Sequence, residues 1–282
     1  AKIVGISGSL ALGSWLLNKF GYSQAILMLS VAVFAIMFVP LFLRERPGEK
    51  LLPWSKGSAS LENEKMQITN WTEIFKSLFN VFLLRNSILM ACVLFFTQIA
   101  FNFIATLLPV FTVQALGWTN LEYSQFFATA SLIGGIGGML IGGILIDKFG
   151  KIKMLNVYFF ILIMLTTVFP FLNMYWKNYW VISSFMVIYQ ILYVFTSIGL
   201  FACAMEFCWK KISASQFTLY MTIANLGRIV GAKLLGPLKY LLSWEYTICS
   251  FGVMLALAWI IMPLIKINIH VKKIEELELK NA

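Results

Sequence analysis

The sequence predicts an all-α membrane protein, a bundle of about eight transmembrane helices. Of its 282 residues, 60% are hydrophobic and only 12% are charged, and the mean hydropathy is +0.84. Apolar runs of about 20 residues recur along the chain, which is the length that a helix needs to cross the hydrocarbon core. Because backbone polar groups inside a bilayer must be paired within their own segment, we expect these runs to be helices.

Each predicted span is an apolar run that ends at charged or turn-forming residues. The runs cover 3–18, 22–43, 87–112, 122–146, 153–174, 179–207, 215–238 and 245–265. They divide the chain into a two-helix block at 1–43, a cytoplasmic linker at 44–86, a six-helix block at 87–265 and a cytoplasmic tail at 266–282.

The linker ends in an amphipathic segment. Between 71 and 85, apolar residues recur three and four positions apart, which indicates one apolar face on a helix. We expect this helix to lie on the cytoplasmic membrane surface. The alternative is that 71–85 simply lengthens the span that follows it.

The basic residues predict the orientation of the chain in the membrane. Seventeen of the 22 lysines and arginines fall in one set of alternate connections, three fall in the other set, and two lie within the span 215–238. This asymmetry predicts that both termini and the linker are cytoplasmic, in what we take to be a bacterial inner membrane. The net charge of +10 then reflects topology, with membrane lipids as partners. Nucleic-acid binding is not expected, because no basic cluster lies on an independent soluble domain.

Polar residues form stripes on three of the predicted spans. They recur at helical spacing, whereas 153–174 and 245–265 have no such stripe. Polar side chains in a bilayer should face a water-filled cavity or pair with neighbouring helices, and the contrast between spans favours one shared cavity. The predicted cavity residues are Gln98, Asn102, Gln190, Tyr193, Thr222 and Asn225.

One arginine is expected near the middle of the bilayer. Arg228 lies about 13 residues into the span 215–238, and a charge at that depth costs at least about 2.5 kcal/mol on insertion scales. Two interpretations remain open. A counter-charge or carbonyl cluster compensates Arg228, or its planar guanidinium holds an anionic group of a substrate.

Glu206 is the one candidate proton carrier in the sequence. It lies near the cytoplasmic end of its predicted span, just before Lys210 and Lys211. A salt bridge to those lysines is the equally weighted alternative.

Glycines repeat on the span 122–146. Gly134, Gly138 and Gly142 are each four residues apart, a small-residue ridge that allows another helix to approach closely. A phosphate-binding loop is not indicated, since no strand precedes the glycines.

Catalytic and metal-binding chemistry is not expected. The single histidine, His270, lies in the predicted tail, and no aspartate–glutamate pair lies at mid-membrane. We therefore predict no enzyme, no metal site and no cofactor. The four cysteines should be small buried hydrophobes; they are Cys92, Cys203, Cys208 and Cys249.

A charged turn separates the spans 122–146 and 153–174. Its sequence over 143–153 reads GILIDKFGKIK, and this pattern of glycine, aspartate and lysine resembles the cytoplasmic signature loop of the major facilitator superfamily. The resemblance implies a major-facilitator-type helical bundle in which this loop joins helices 8 and 9 of twelve. It also implies a conformational latch, in which Asp147 faces the cytoplasmic start of 3–18. The latch residues are Gly143, Asp147, Lys148, Gly150 and Lys151.

A narrower resemblance lies in the runs RERPGEKLLPW at 44–54 and SASQFTLYM at 213–221, with NLGR at 225–228. These runs are similar to AmpG-like muropeptide permeases and their acetyl-CoA-transporter relatives. The likeness covers helices 5 to 12 only, so the chain is expected to be truncated from twelve helices. A complete transporter would need four further N-terminal helices of the same protein.

The function that the resemblance implies is secondary active transport by alternating access. The expected cargo is a small anionic solute, with a cell-wall muropeptide as the leading substrate and protons as the coupling ion. The alternative is a transport-inactive truncated paralogue or a membrane scaffold.

Overall fold

The computed structural model describes residues 2–42 and 71–280, and every regular element in those ranges is helical. The predicted all-α class is therefore confirmed. The predicted linker over 44–70, including the run at 44–54, lies outside the described residues. The helices are α1 Lys2–Phe42, α2 Trp71–Phe82, α3 Arg85–Gln114, α4 Asn120–Gly137, α5 Gly143–Phe149, α6 Lys151–Val168, α7 Tyr179–Glu206, α8 Ser213–Leu241, α9 Trp244–Ile261 and α10 Ile267–Lys280.

Six helical segments in the described part of the chain are long and apolar enough to cross a membrane. They are Lys19–Val39, Arg85–Gln114, Asn120–Phe149, Lys151–Tyr175, Tyr179–Glu206 and Trp244–Leu264. The other two predicted spans, 3–18 and 215–238, are also helical but are not among these six. Helix α8 has the necessary length, at 29 residues, but Arg228 and Lys233 interrupt its apolar character.

Helix α1 changes direction at Gly21. The backbone there has φ 75° and ψ 174°, a conformation that glycine adopts without the steric penalty of a side chain. The break lies between the two spans predicted at 3–18 and 22–43. Beyond it, Ala25 is fully buried whereas Phe34 and Met37 are exposed, as expected for a helix that presents one side to lipid.

The helices pack in a continuous order around a common core. Helix α8 packs on α3, α3 on α9, α9 on α6, α6 on α7, α7 on α4, and α4 on α1. Helix α3 supplies much of the core, with Leu94, Phe103 and Phe111 fully buried. Large side chains such as these fill the interior and fix the positions of the polar residues on the same helix.

The predicted glycine ridge is a close helix–helix contact, and this prediction is confirmed. A Cβ on Gly134 would lie 3.0 Å from the backbone oxygen of Gln190 on α7. A Cβ on Gly138 would lie 2.4 Å from a methyl carbon of Val194. Because Gly134 and Gly138 have no side chains, the α7 backbone can approach this face directly. A π-helical turn at Gly138–Gly142 connects α4 to α5 within this contact.

The amphipathic segment before the six-helix block forms a separate helix, α2, as predicted. A turn at Leu83 and Leu84 separates α2 from α3, so α2 does not lengthen the next span. Val81 is fully buried in a small cluster with Trp209, Ile212 and Ile274. These side chains come from α2, α10 and the α7–α8 connection, so the cluster joins α10 to the rest of the bundle.

The predicted tail folds as helix α10 and docks on the bundle, because His270 anchors it. His270 is 1% exposed, and its Nε2 lies 3.0 Å from the backbone oxygen of Phe207 at the end of α7. The two rings also contact each other, with centroids 4.6 Å apart. Burial lowers the pKa of His270 below its ordinary value of 6.5, and nearby Lys273 lowers it further.

We expect acidification to loosen α10. A histidine released from the docked helix regains its ordinary pKa of 6.5, so below that pH the undocked state binds more protons than the docked state. The stability of docking is therefore full above pH 6.5 and falls as the pH decreases below it. Hydrogen exchange of the α10 amides at pH 7.5 and 5.5, corrected for intrinsic rates, should show faster opening at pH 5.5.

The control is His270→Gln, whose side-chain amide can donate to Phe207 but does not titrate. This variant should open at the same rate at both pH values. A wild-type protein whose α10 protection is the same at pH 7.5 and 5.5 would contradict the expectation. The basic residues Arg85, Lys266 and Lys273 lie in the same region as His270.

The orientation predicted from the basic residues can be tested by labelling single cysteines. Tags at Ser58 and Ser213 should react with a membrane-impermeant reagent only from the cytoplasm, because positive connections resist translocation. A tag at Asn178, in the short connection between α6 and α7, should react only from outside. Reaction of the Ser58 tag from outside would mean that the orientation is the reverse of the predicted one.

Candidate functional site

The candidate site lies where α3 and α8 pack backbone to backbone. A Cβ on Gly227 would lie 2.5 Å from the backbone oxygen of Phe95, and one on Gly231 would lie 2.2 Å from that of Ile99. Neither distance is possible for a real side chain, so only glycine fits at these two positions. The close contact places the next residue after Gly227, which is Arg228, directly beside α3.

Arg228 binds the polar stripe of α3 through two hydrogen bonds. Its Nε donates to Oε1 of Gln98 over 2.9 Å, and the Asn102 side-chain amide donates to the Arg228 backbone oxygen over 2.8 Å. Gln98 is buried, with 3% exposure, and Arg228 is half-buried. The structure therefore brings two of the six predicted cavity residues, Gln98 and Asn102, together with the candidate substrate-binding Arg228, and we call these three residues the Arg228 junction.

No carboxylate in the described part of the chain pairs with Arg228; the ion pair found there is Lys151–Glu206. The partner of Arg228 is the neutral amide of Gln98. A neutral acceptor satisfies one donor but leaves the positive charge in place. The terminal nitrogens of Arg228 make no hydrogen bond to a described residue, and they have the planar geometry that binds carboxylates in a two-point contact.

The other predicted cavity residues have different neighbours. Tyr193 packs against Phe101, with ring centroids 4.8 Å apart, one residue before Asn102. Gln190 is buried against Gly134 of α4 instead. This places α7 between two different surfaces, with Tyr193 toward α3 and Gln190 toward the glycine ridge.

Two predicted residues lie on the exposed side of α8. Thr222 and Asn225 are both exposed, and the Thr222 hydroxyl donates to the backbone oxygen of Thr218. No hydrogen bond joins Thr222 or Asn225 to the Arg228 junction among the described residues. A single cavity bordered by all six predicted residues thus stays a prediction.

The charged signature loop forms a tight turn between α5 and α6. Gly150 has φ 89° and ψ 139°, in the region that favours glycine. Lys151 then pairs with Glu206 at the end of α7, with Nζ and Oε2 2.6 Å apart. The salt-bridge alternative for Glu206 therefore holds, but with Lys151 rather than with Lys210 or Lys211. Because both side chains are about one-third exposed, such a pair contributes only about 0–1 kcal/mol.

The remaining loop residues face solvent. Asp147 and Lys148 are exposed, and the Lys148 Nζ lies 5.5 Å from the Phe149 ring centroid. Within the described ranges, Asp147 has no hydrogen bond or ion pair. Its predicted contact with the start of 3–18 stays a prediction.

Sequence reasoning missed the role of Gln216. This side chain is fully buried, accepts from the Trp209 backbone N–H and donates to the Phe207 backbone oxygen, each over 2.9 Å. Phe207 is also the residue that His270 contacts, so one carbonyl joins α7, α8 and α10. Gln216 lies in the run 213–221, but nothing in that run's pattern indicated a buried amide.

The described residues contain no group of three or more histidine, cysteine, aspartate or glutamate side chains that could hold a metal ion. The four cysteines are free thiols; Cys203 is buried as expected, whereas Cys92, Cys208 and Cys249 are only half-buried. The candidate site consists of Arg228, the side-chain amides of Gln98 and Asn102, and Tyr193, which packs on Phe101.

These features define an integral membrane protein of helical-bundle type, with a polar junction inside the bundle and a charged loop at one face. The family model of the Major Facilitator Superfamily matches residues 3–232, and the chain belongs to that superfamily. Its broad class is accordingly that of the secondary transporters. No match was found among curated proteins.

Proposed function

We propose that this protein moves a small anionic solute across a bacterial inner membrane by alternating access. The observation that carries the proposal is Arg228, a half-buried positive charge whose side-chain partner is the neutral Gln98. A buried charge is unfavourable unless something compensates it. A transported carboxylate would supply the compensation only while the solute is bound.

The Arg228 junction is arranged to hold the guanidinium in one orientation. Asn102 fixes the Arg228 backbone and Gln98 fixes Nε. The two terminal nitrogens then form a preorganised fork for a carboxylate. Tyr193 packs on Phe101, the residue before Asn102, and we propose that it contacts the bound solute.

We propose a cell-wall muropeptide as the solute, because it carries carboxylates and because the runs at 44–54 and 213–221 resemble muropeptide permeases. Proton coupling is part of the same proposal, with Glu206 as the candidate carrier. Protonation of Glu206 would break its pair with Lys151 of the signature loop. That step would link proton binding to the loop that the superfamily resemblance implies as a latch.

Alternating access also requires a second helical half around the site. We propose that the working transporter includes four helices N-terminal to this chain, as the resemblance implies, and that both termini are cytoplasmic. Experiments on transport should therefore use the full-length gene product.

The direct test is uptake by proteoliposomes that contain the full-length protein. Labelled muropeptide should accumulate when an inward proton gradient is imposed, and a neutral disaccharide should not. Uptake that is equal for both solutes would refute anion recognition. Absence of any uptake, by protein that is correctly inserted, would favour the transport-inactive alternative.

A further inference from the structure

A cavity with basic residues in its wall lies at one end of the bundle, far along α3 from the Arg228 junction. Its volume is about 280 Å³, and it lies between the start of α3, the end of α9 and the start of α10. Arg85, Lys266 and Lys273 line it, with no acidic residue among its lining. The cavity is thus a concentration of positive charge beside the end of the apolar segment Arg85–Gln114.

A two-way hydrogen bond holds the Lys266 backbone beside the start of α3. The Asn86 side-chain amide donates to the Lys266 backbone oxygen over 3.0 Å, and the Lys266 backbone N–H donates to Asn86 Oδ1 over 3.3 Å. This two-way bond fixes the α9–α10 connection against the first turn of α3. None of the three basic side chains forms an ion pair with a carboxylate in the described ranges.

The first turn of α3 forms part of the cavity wall. Leu84, Arg85 and Asn86 line it, and Leu84 at the helix start provides no side-chain cap. The first backbone N–H groups of a helix lack internal partners, and the helix dipole is positive at this end. Both properties favour an anion such as phosphate.

His270 supplies an independent indication of a ligand. The residue is 1% exposed and lines the same cavity. Its Nε2 contacts the Phe207 oxygen, whereas its buried Nδ1 has no hydrogen-bond partner among the described residues. When Nε2 carries the proton, Nδ1 is an acceptor, so a ligand hydroxyl would satisfy it.

We propose that this cavity binds a phosphate ester that carries a hydroxyl group, the chemistry shared by a phosphatidylglycerol headgroup and free glycerol phosphate. The phosphate accepts from Arg85, Lys266, Lys273 and the α3 backbone, and the hydroxyl donates to His270 Nδ1. Basic pockets between helices at the cytoplasmic face commonly bind anionic headgroups.

Neighbouring features favour the lipid as the source. Leu264 and Ile269 form an apolar part of the cavity wall, suited to the glycerol and acyl end of a lipid. On the other side of Lys266, a groove of about 490 Å³ is lined by Lys151 and Lys153. Lys266 therefore belongs to two adjoining basic surfaces, which together could hold more than one headgroup.

The test measures thermal unfolding of the purified, delipidated protein in mixed micelles. Phosphatidylglycerol should raise the midpoint in a saturable way, and phosphatidylcholine should not. The variant pair Lys266→Gln and Lys273→Gln should weaken the apparent affinity for phosphatidylglycerol by about 30-fold, from the loss of two charges near the surface. The matched control is Lys210→Gln with Lys211→Gln, two exposed lysines on the same face outside the cavity.

The outcomes separate the possibilities. Equal stabilisation by glycerol 1-phosphate and by the lipid would support the site with a soluble source. Stabilisation by the lipid alone would support the headgroup. An equal response to phosphatidylcholine, or an equal loss of affinity in the control pair, would overturn the proposal, because the effect would then not depend on this cavity. The inference does not depend on which solute the protein transports.

Discussion

Replacing Gly231 with alanine is expected to destabilise the protein by about 1–3 kcal/mol, through overpacking at the contact between α3 and α8. The new Cβ would lie 2.2 Å from the Ile99 backbone oxygen. A backbone atom cannot rotate away as a side chain can, so the two helices must separate. The thermal unfolding midpoint of the purified protein in detergent should fall accordingly.

The matched control is Gly13→Ala, on helix α1. A Cβ at Gly13 would meet no atom within 4 Å, and alanine is favoured over glycine inside a helix by roughly 0.5–1 kcal/mol. The control should therefore be neutral or slightly stabilising. If Gly231→Ala were as stable as Gly13→Ala, α3 and α8 would not be in the close contact described here.

The contact at Gly227 and Gly231 shows which part of a helix–helix contact can be predicted from sequence and which part cannot. The two glycines have the same four-residue spacing as Gly134 and Gly138, whose ridge the sequence predicted. The ridge on α8 was therefore open to the same reasoning. The helix that packs on this ridge could not be predicted, because a ridge shows that some helix approaches closely and does not indicate which one.

The formation of helix α10 could also be predicted from the sequence, whereas its docking could not. The sequence predicts a tail at 266–282, and this segment is rich in charged residues, which are typically solvated. Yet Ile267, His270, Ile274 and Leu277 are spaced three and four positions apart, which is a helical pattern. The docking itself depends on a carbonyl of Phe207, some 60 residues earlier, and such a long-range partner has no local sequence signal.

The sequence predicts polar stripes on three helices, but it does not determine their neighbours. Gln98 and Asn102 contact α8, whereas Gln190 contacts the glycine ridge of α4. Because a helix in the middle of a bundle touches several others, one polar face can contribute to packing at one residue and to a site at the next. Spacing within a helix predicts which residues share a face, but it does not predict which neighbouring helix each of them contacts.

The last prediction concerns Arg228 in the full-length transporter. Arg228→Lys is expected to raise the KM for uptake of an anionic solute by about 10- to 100-fold, which corresponds to losing a charge-assisted hydrogen bond worth about 1.5–3 kcal/mol. Lysine keeps the charge but has no planar fork and no Nε–H, so it loses the bond to Gln98 and the two-point contact with a carboxylate. Expression and membrane insertion should be unchanged.

Uptake kinetics in proteoliposomes provide the measurement, with Lys233→Gln as the control. Lys233 is an exposed cation on the same helix, so its removal changes the charge of α8 without touching the Arg228 junction. The control should keep the wild-type KM. If Arg228→Lys transported with normal KM, or failed to accumulate in the membrane, Arg228 would be a structural residue held by Gln98 and Asn102. A raised KM with intact insertion would instead mean that the fork of Arg228 binds the solute.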